Sequence, residues 1–218
     1  MTTNDLHSEI LSATFPRLVP ADRHKAGCIG EKFLDVIVEY GMPLKQVEPQ
    51  CENLVGWACL TEAFVKDYSI PIETIRRESM KNLMASSRAA SFAECVELLG
   101  FPAPDLQEPD PPYLILRIDG NEYGASAVMD LSLMLMAANT YKSDVYVIFS
   151  SLYEAMVMPV SMGWTPDEIS VMHKSVQDAE VAENERLSDT VYLFRRDACT
   201  LEIVGGDPDD PDHIYQYE

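Results

Sequence analysis

The chain has 218 residues, 47% of them apolar, enough for one sizeable core or two small ones. Sixteen Lys and Arg stand against 36 Asp and Glu, a formal net charge of −20. Ordinary nucleic-acid binding needs the opposite sign, because affinity comes from cations that displace condensed counterions, and an anionic membrane surface is disfavoured for the same reason.

Residues 5–15 read as a short helix with Leu6, Ile10 and Leu11 near one face, closed by Pro16 and Pro20. A second helix is predicted over about 30–40 from Phe33, Leu34, Ile37 and Tyr40, with Gly41 at its stop. Leu54 to Leu60 fits either a strand or the start of the next helix, which Thr61 opens and Ser69-Ile70-Pro71 ends. Helices follow over about 72–85 and from Ser91 to Leu99, the latter with Ser91 capping and Glu94 three residues on. Residues 101–112 hold five prolines and read as a connector.

Beyond it the pattern changes. Tyr113–Ile118 reads as a strand, Asp119-Gly120 as a turn, and Tyr123–Val128 as a returning strand of small residues. Asp130 caps a helix over about 131–140, and strands follow at Val145–Phe149 and Ala155–Met158. Thr165-Pro166-Asp167-Glu168 is a capping box that opens a helix to about Ala179. Val191–Phe194 and Leu201–Val204 form a last hairpin. The fold class is α+β: a helical N-terminal part, then a mainly antiparallel sheet in ββαββαββ order, with its helices on one face. The regions are 1–104, mostly helical; 105–112, the Pro-rich connector; 113–204, the α+β domain; and 205–218, an acidic mobile tail.

Few residues suggest chemistry. No stretch reaches the ~18 apolar residues of a membrane span, and the N-terminus lacks the pattern of a signal peptide, so a soluble, cytoplasmic protein is expected. Five Cys, odd in number and without a C-x-x-C, predict reduced, mostly buried thiols rather than disulfides or a zinc site. Cys28, between Gly27 and Ile29-Gly30 and ahead of the predicted helix, is the best nucleophile candidate, since a helix N-terminus lowers a thiol pKa. Gly27 to Lys32 lacks the spacing of a phosphate loop, and the aspartates 207–212 lack the Gly and Glu of a calcium loop. Ser150, Ser151 and Glu154 look catalytic but are explained by a tight turn. His173 reads as a solvated helix residue, and Trp57 and Trp164 as packing residues. No catalytic, cofactor-binding or metal site is predicted.

The charge is uneven. Residues 1–100 hold 14 acids and 10 bases, net −4; residues 101–218 hold 22 acids and 6 bases, net −16. Asp178, Glu180, Glu183, Glu185 and Asp189 cluster at a predicted helix end, opposed only by Arg186. Acids are unfavourable there, against the partial negative charge of a helix C-terminus, so the cluster is the candidate surface for a basic protein partner. The same charge opposes self-association, so a monomer or weak dimer is expected.

From Asn53 to Val204 the segment order resembles a bacterial family of unknown function found in gut Clostridia and relatives, often on mobile elements. The resemblance rests on Cys59-Leu60-Thr61-Glu62-Ala63-Phe64, Tyr123-Gly124-Ala125-Ser126-Ala127, Asp144 to Glu154 and Leu187 to Tyr192. Pro71 stands where the family has a Ser cap, and Phe149 where it has a Pro. It implies a fold and a genetic setting, and no active site. With the charge it points to a non-enzymatic acidic binding protein: an anti-defence inhibitor that occupies the basic nucleic-acid groove of a host defence protein. The alternatives are a regulatory or scaffold protein without nucleic-acid mimicry, and an enzyme with an unrecognised site.

Overall fold

The computed structural model describes residues 3–44, 56–98, 113–120, 123–204 and 211–217. The predicted connector 105–112 lies outside them. The fold is α+β, with two antiparallel sheets and helices packed on them.

The N-terminal half is less helical than its sequence suggests. Helix α1 (Thr3–Ala13) ends before Thr14, whose hydroxyl donates to the Ile10 carbonyl (2.7 Å). Strand β1 (Phe15–Pro20) follows, and it tolerates Pro16 and Pro20 because it is an edge strand. The helix predicted over 30–40 is instead a hairpin, β2 (Gly30–Phe33) and β3 (Val36–Pro43), turning at Leu34-Asp35 with Leu34 at φ 55°. The apolar spacing fitted both periods. Pairing on both edges, with β1 on one side and with β2 and Trp57–Cys59 on the other, decided for the strand, in which Val36, Val38 and Tyr40 are each 1% exposed. The ambiguous stretch before Thr61 forms β4 (Trp57–Cys59), which pairs with the far end of β3. Thr61 then caps α2 (Glu62–Asp67), and α3 (Ile72–Ser86) buries Ile75, Ser79 and Leu83.

The second sheet runs β11-β10-β9-β7-β8-β6-β5, antiparallel at every pairing. Its strands are β5 (Ser87–Ala90), β6 (Leu114–Ile118), β7 (Val145–Phe149), β8 (Ala155–Pro159), β9 (Tyr192–Arg195), β10 (Thr200–Ile203) and β11 (Ile214–Gln216). Helix α4 (Phe92–Leu98) links β5 to the segment before β6, and Ser91 and Glu94 cap it reciprocally. Helices α5 (Leu131–Tyr141) and α6 (Pro166–Glu180) start at the predicted caps, Asp130 and Thr165.

Three expectations need correction here. The helices lie on opposite faces: α5 packs with Val145, Val147 and Phe149, whereas Ile169 of α6 packs with Tyr146 and Ile148. The period of two in β7 separates those sets. The strand predicted over Tyr123–Val128 is instead a buried 3-10 turn, Gly124–Met129, held where a Cβ on Gly124 would meet the Tyr153 carbonyl at 2.3 Å and where the Ser126 hydroxyl donates to the Pro16 carbonyl (2.9 Å). Within the predicted mobile tail, Ile214–Gln216 is a strand and the buried Tyr217 donates to the Val128 carbonyl (2.7 Å).

One apolar cluster runs from Phe15, Val38 and Tyr40 through Ala125 and Ala127 to Val147, Tyr192 and Leu201, so the regions 1–104 and 113–204 share a core. Cys28 and Cys59 form a disulfide 31 residues apart, which overturns the reading of reduced thiols; Cys95 and Cys199 are free. The odd count hid the pair, because β4 returns along β3 and brings Cys59 beside the loop before β2. A closed loop of this length constrains the unfolded chain by about 3–4 kcal/mol. Reduction is therefore expected to lower the urea midpoint of the wild type to that of a Cys28→Ser/Cys59→Ser variant, and to leave the variant unchanged.

Candidate functional site

The residues with catalytic promise serve the fold. Ser150 donates to the carbonyl and carboxylate of Glu154 (3.2 and 3.0 Å), and the Ser151 hydroxyl accepts from the Tyr153 amide (3.0 Å). That is the local turn chemistry read from sequence. Cys28 is no nucleophile while it is bonded to Cys59, and no helix follows it to lower its pKa. Gly30 lies in β2, not in a phosphate loop. Among the described residues no three His, Cys, Asp or Glu side chains gather as metal ligands, and aspartates 207, 209 and 210 lie outside them.

The acidic cluster occupies the C-terminal turn of α6 and the segment up to β9. Two of its five members are engaged in the fold. Asp178 pairs with Arg186 (2.9 Å) and more loosely with Lys174 (3.7 Å). Glu185 accepts from the Tyr153 hydroxyl (2.9 Å), and its carbonyl accepts from the Leu152 amide (2.8 Å). Glu180, Glu183 and Asp189 are exposed and make no ion pair among the described residues.

Arg186 does more than oppose these acids. Its Nη2 donates to the Gln177 carbonyl (2.8 Å) and its Nε to the Val181 carbonyl (3.2 Å), so it closes the last turn of α6. A cation at that end offsets the helix dipole. From the N-terminal half, Arg23 donates to the carbonyls of Glu183 (2.6 Å) and Arg186 (3.2 Å). Asp35, at the tip of the β2–β3 hairpin, accepts from Ser188 and Thr190 (2.7 Å each) and from the Tyr192 hydroxyl. Burial, and then the Asp35 carboxylate, hold Tyr192 well above the ordinary phenol range, so it remains a donor. Sequence reading missed Arg23 and Asp35, since nothing local joins residues more than 150 positions apart.

His173 is buried rather than solvated. Its ring meets the Phe149 carbonyl through Nε2 (2.9 Å), while Nδ1 is enclosed without a partner among the described residues. The carbonyl accepts, so Nε2 carries the proton of a neutral ring. Desolvation lowers its pKa, against raising effects from Phe149 and Asp189. Trp164, expected to pack, is 42% exposed, and Trp57 is half-buried beside Arg17.

This chain of α+β fold, with an acidic edge as its candidate site, belongs to a family of known sequence pattern. Residues 34–196 match a family of unknown function (DUF5688), and the chain is a member of it. No curated protein and no solved structure matches the chain. No helix of the described residues is long and apolar enough to cross a membrane.

Two outcomes follow. Arg186→Met is expected to cost about 1–3 kcal/mol in urea unfolding, through lost charged hydrogen bonds, whereas exposed Glu183→Gln stays within about 0.5 kcal/mol. The lowered pKa of His173 means that the unfolded chain binds its proton first. Stability should fall as the pH drops through the unfolded value of about 6.5, and less steeply in His173→Gln.

Proposed function

We propose that the protein is a non-enzymatic binding protein whose acidic edge engages a basic protein partner. In its finer form the proposal is an inhibitor, carried by a mobile element, that lies in the basic nucleic-acid groove of a host defence protein. It would act in the cytoplasm as a monomer or weak dimer, without a cofactor.

One observation carries this reading. Among the described residues Glu180, Glu183 and Asp189 make no ion pair, on a backbone pinned by Arg23, Arg186 and Asp35. A pinned backbone lowers the ordering cost of binding, and a groove built for phosphates offers cations to such an array. The net charge of −20 adds long-range steering toward a basic partner. Of the five predicted partner-binding residues, Glu180, Glu183 and Asp189 are the contact candidates, and Asp178 and Glu185 support the backbone.

The test is competition. Displacement of a DNA duplex from a panel of bacterial nucleic-acid-binding defence proteins is measured at low and high salt. The wild type is expected to release the duplex at low salt, and the Glu180→Gln/Glu183→Gln/Asp189→Asn variant to need about tenfold more protein. Equal displacement by the variant, with the melting temperature of the parent, would overturn the proposal.

A further inference from the structure

A cleft of about 670 Å³ lies far in sequence from the acidic edge, where α3, the β2–β3 hairpin and β11 meet. Its size falls within the ~300–1,000 Å³ of small-molecule sites. Its wall is part cation and part aromatic. Arg76, Arg77 and Lys81 approach it from α3 and Lys32 from β2, against Glu31 and Glu73. Four cations and two carboxylates line it, and Glu78 and Asp212 pair with three of those cations from beside the lining. On the apolar side, the rings of Phe33 and Tyr215 are tilted against each other with centroids 4.5 Å apart, and Met84 is 51% exposed.

The cations differ in how firmly they are held. Arg77 and Lys81 both bond to Glu78 (2.9 Å each), and Lys32 bonds to Asp212. All three side chains are more than half exposed, and pairs of this kind exchange partners at little cost. Arg76 is the inner cation. It reaches Glu31 (2.8 Å) and Glu73 (2.9 Å), yet its Nε is enclosed and has no hydrogen-bond partner among the described residues. The Tyr40 hydroxyl fixes Glu31 from behind, so the pairing to Arg76 is set by the sheet.

We propose that this cleft binds a small molecule with a planar apolar body and one anionic group. The ring lies between the aromatic side and the methionines, and the anion meets Arg76, Arg77 and Lys81. A fork of guanidinium donors suits phosphate and carboxylate alike. This proposal is independent of the acidic edge, which lies on α6 and the segment after it.

Titration calorimetry on the full chain, with AMP, indole-3-acetate and inorganic phosphate as separate probes, tests it. Saturable binding of AMP or of indole-3-acetate is expected, and phosphate alone should bind more weakly. AMP alone would assign the anion as phosphate, and indole-3-acetate alone as carboxylate. Arg77→Gln/Lys81→Gln should weaken the bound probe about tenfold, and Met84→Trp, which enlarges a side chain of the lining, should abolish binding. The Glu180→Gln/Glu183→Gln/Asp189→Asn variant should bind as the parent does. The proposal is overturned by three results: no saturable binding of either ring-bearing probe, phosphate binding as tightly as AMP, or unchanged affinity in both cleft variants with the melting temperature of the parent.

Discussion

Glu39 is the charge around which the N-terminal sheet is built. It sits in the middle of β3, 1% exposed, and a carboxylate there must be fully paired. Arg17, its register partner on β1, donates through Nε (3.1 Å) and Nη2 (2.7 Å) to one oxygen, and His24 Nδ1 meets the other (2.9 Å). The Arg17 guanidinium also lies over the rings of Trp57 (5.0 Å) and Tyr123 (5.2 Å). Trp57 belongs to β4, and Tyr123 leads into the buried 3-10 turn beside the second sheet. One cation thus ties β1, β3, β4 and the start of the 3-10 turn together. Removing one partner of such a pair leaves an uncompensated buried charge, at a cost of about 3–5 kcal/mol.

The acidic edge inherits its rigidity from that arrangement. The strand carrying Glu39 continues from the hairpin whose tip holds Asp35, and the loop carrying His24 begins with Arg23. Both reach across to residues 183–192. Acids at the end of α6 looked uncompensated in sequence, yet Arg186 folds back on the carbonyls of Gln177 and Val181 and supplies the positive end charge. The helix end is therefore stable without help from the exposed carboxylates. That relieves Glu180, Glu183 and Asp189 of a structural task and leaves their charge available to a partner.

Legibility in the sequence followed the range of the interactions. The caps at Thr61, Asp130 and Thr165 are local, and so were the strands Val145–Phe149 and Ala155–Pro159, where side chains alone mark the pattern. The antiparallel order of the second sheet was legible where short turns join β7 to β8 and β9 to β10; its other neighbours lie farther apart in sequence. The β2–β3 hairpin was misread because Phe33, Leu34, Ile37 and Tyr40 satisfy a helical period by coincidence, while the deciding event is pairing with β1 and β4. The Cys28–Cys59 bond and the Arg17–Glu39–His24 cluster depend on that pairing and could not be seen before it. The five acidic residues were legible as a cluster. Their division into two members engaged in the fold and three without an ion pair among the described residues was not, because it is set by Tyr153 and Arg186.

The physical unit is larger than the stretch that defines the family. The match spans residues 34–196, yet Arg17, Arg23, His24 and Cys28 lie before it. Their partners lie inside it: Glu39, the carbonyls of Glu183 and Arg186, and Cys59. Strand β1, which pairs with Val36–Gly41 of β3, also lies before it, and β10, β11 and the buried Tyr217 lie after it. The matched segment carries the buried carboxylate, and the flanking segments carry the cations that make it tolerable. The flanks and the matched segment are thus one electrostatic unit, and the residues before position 34 both complete the core and hold the acidic edge in place.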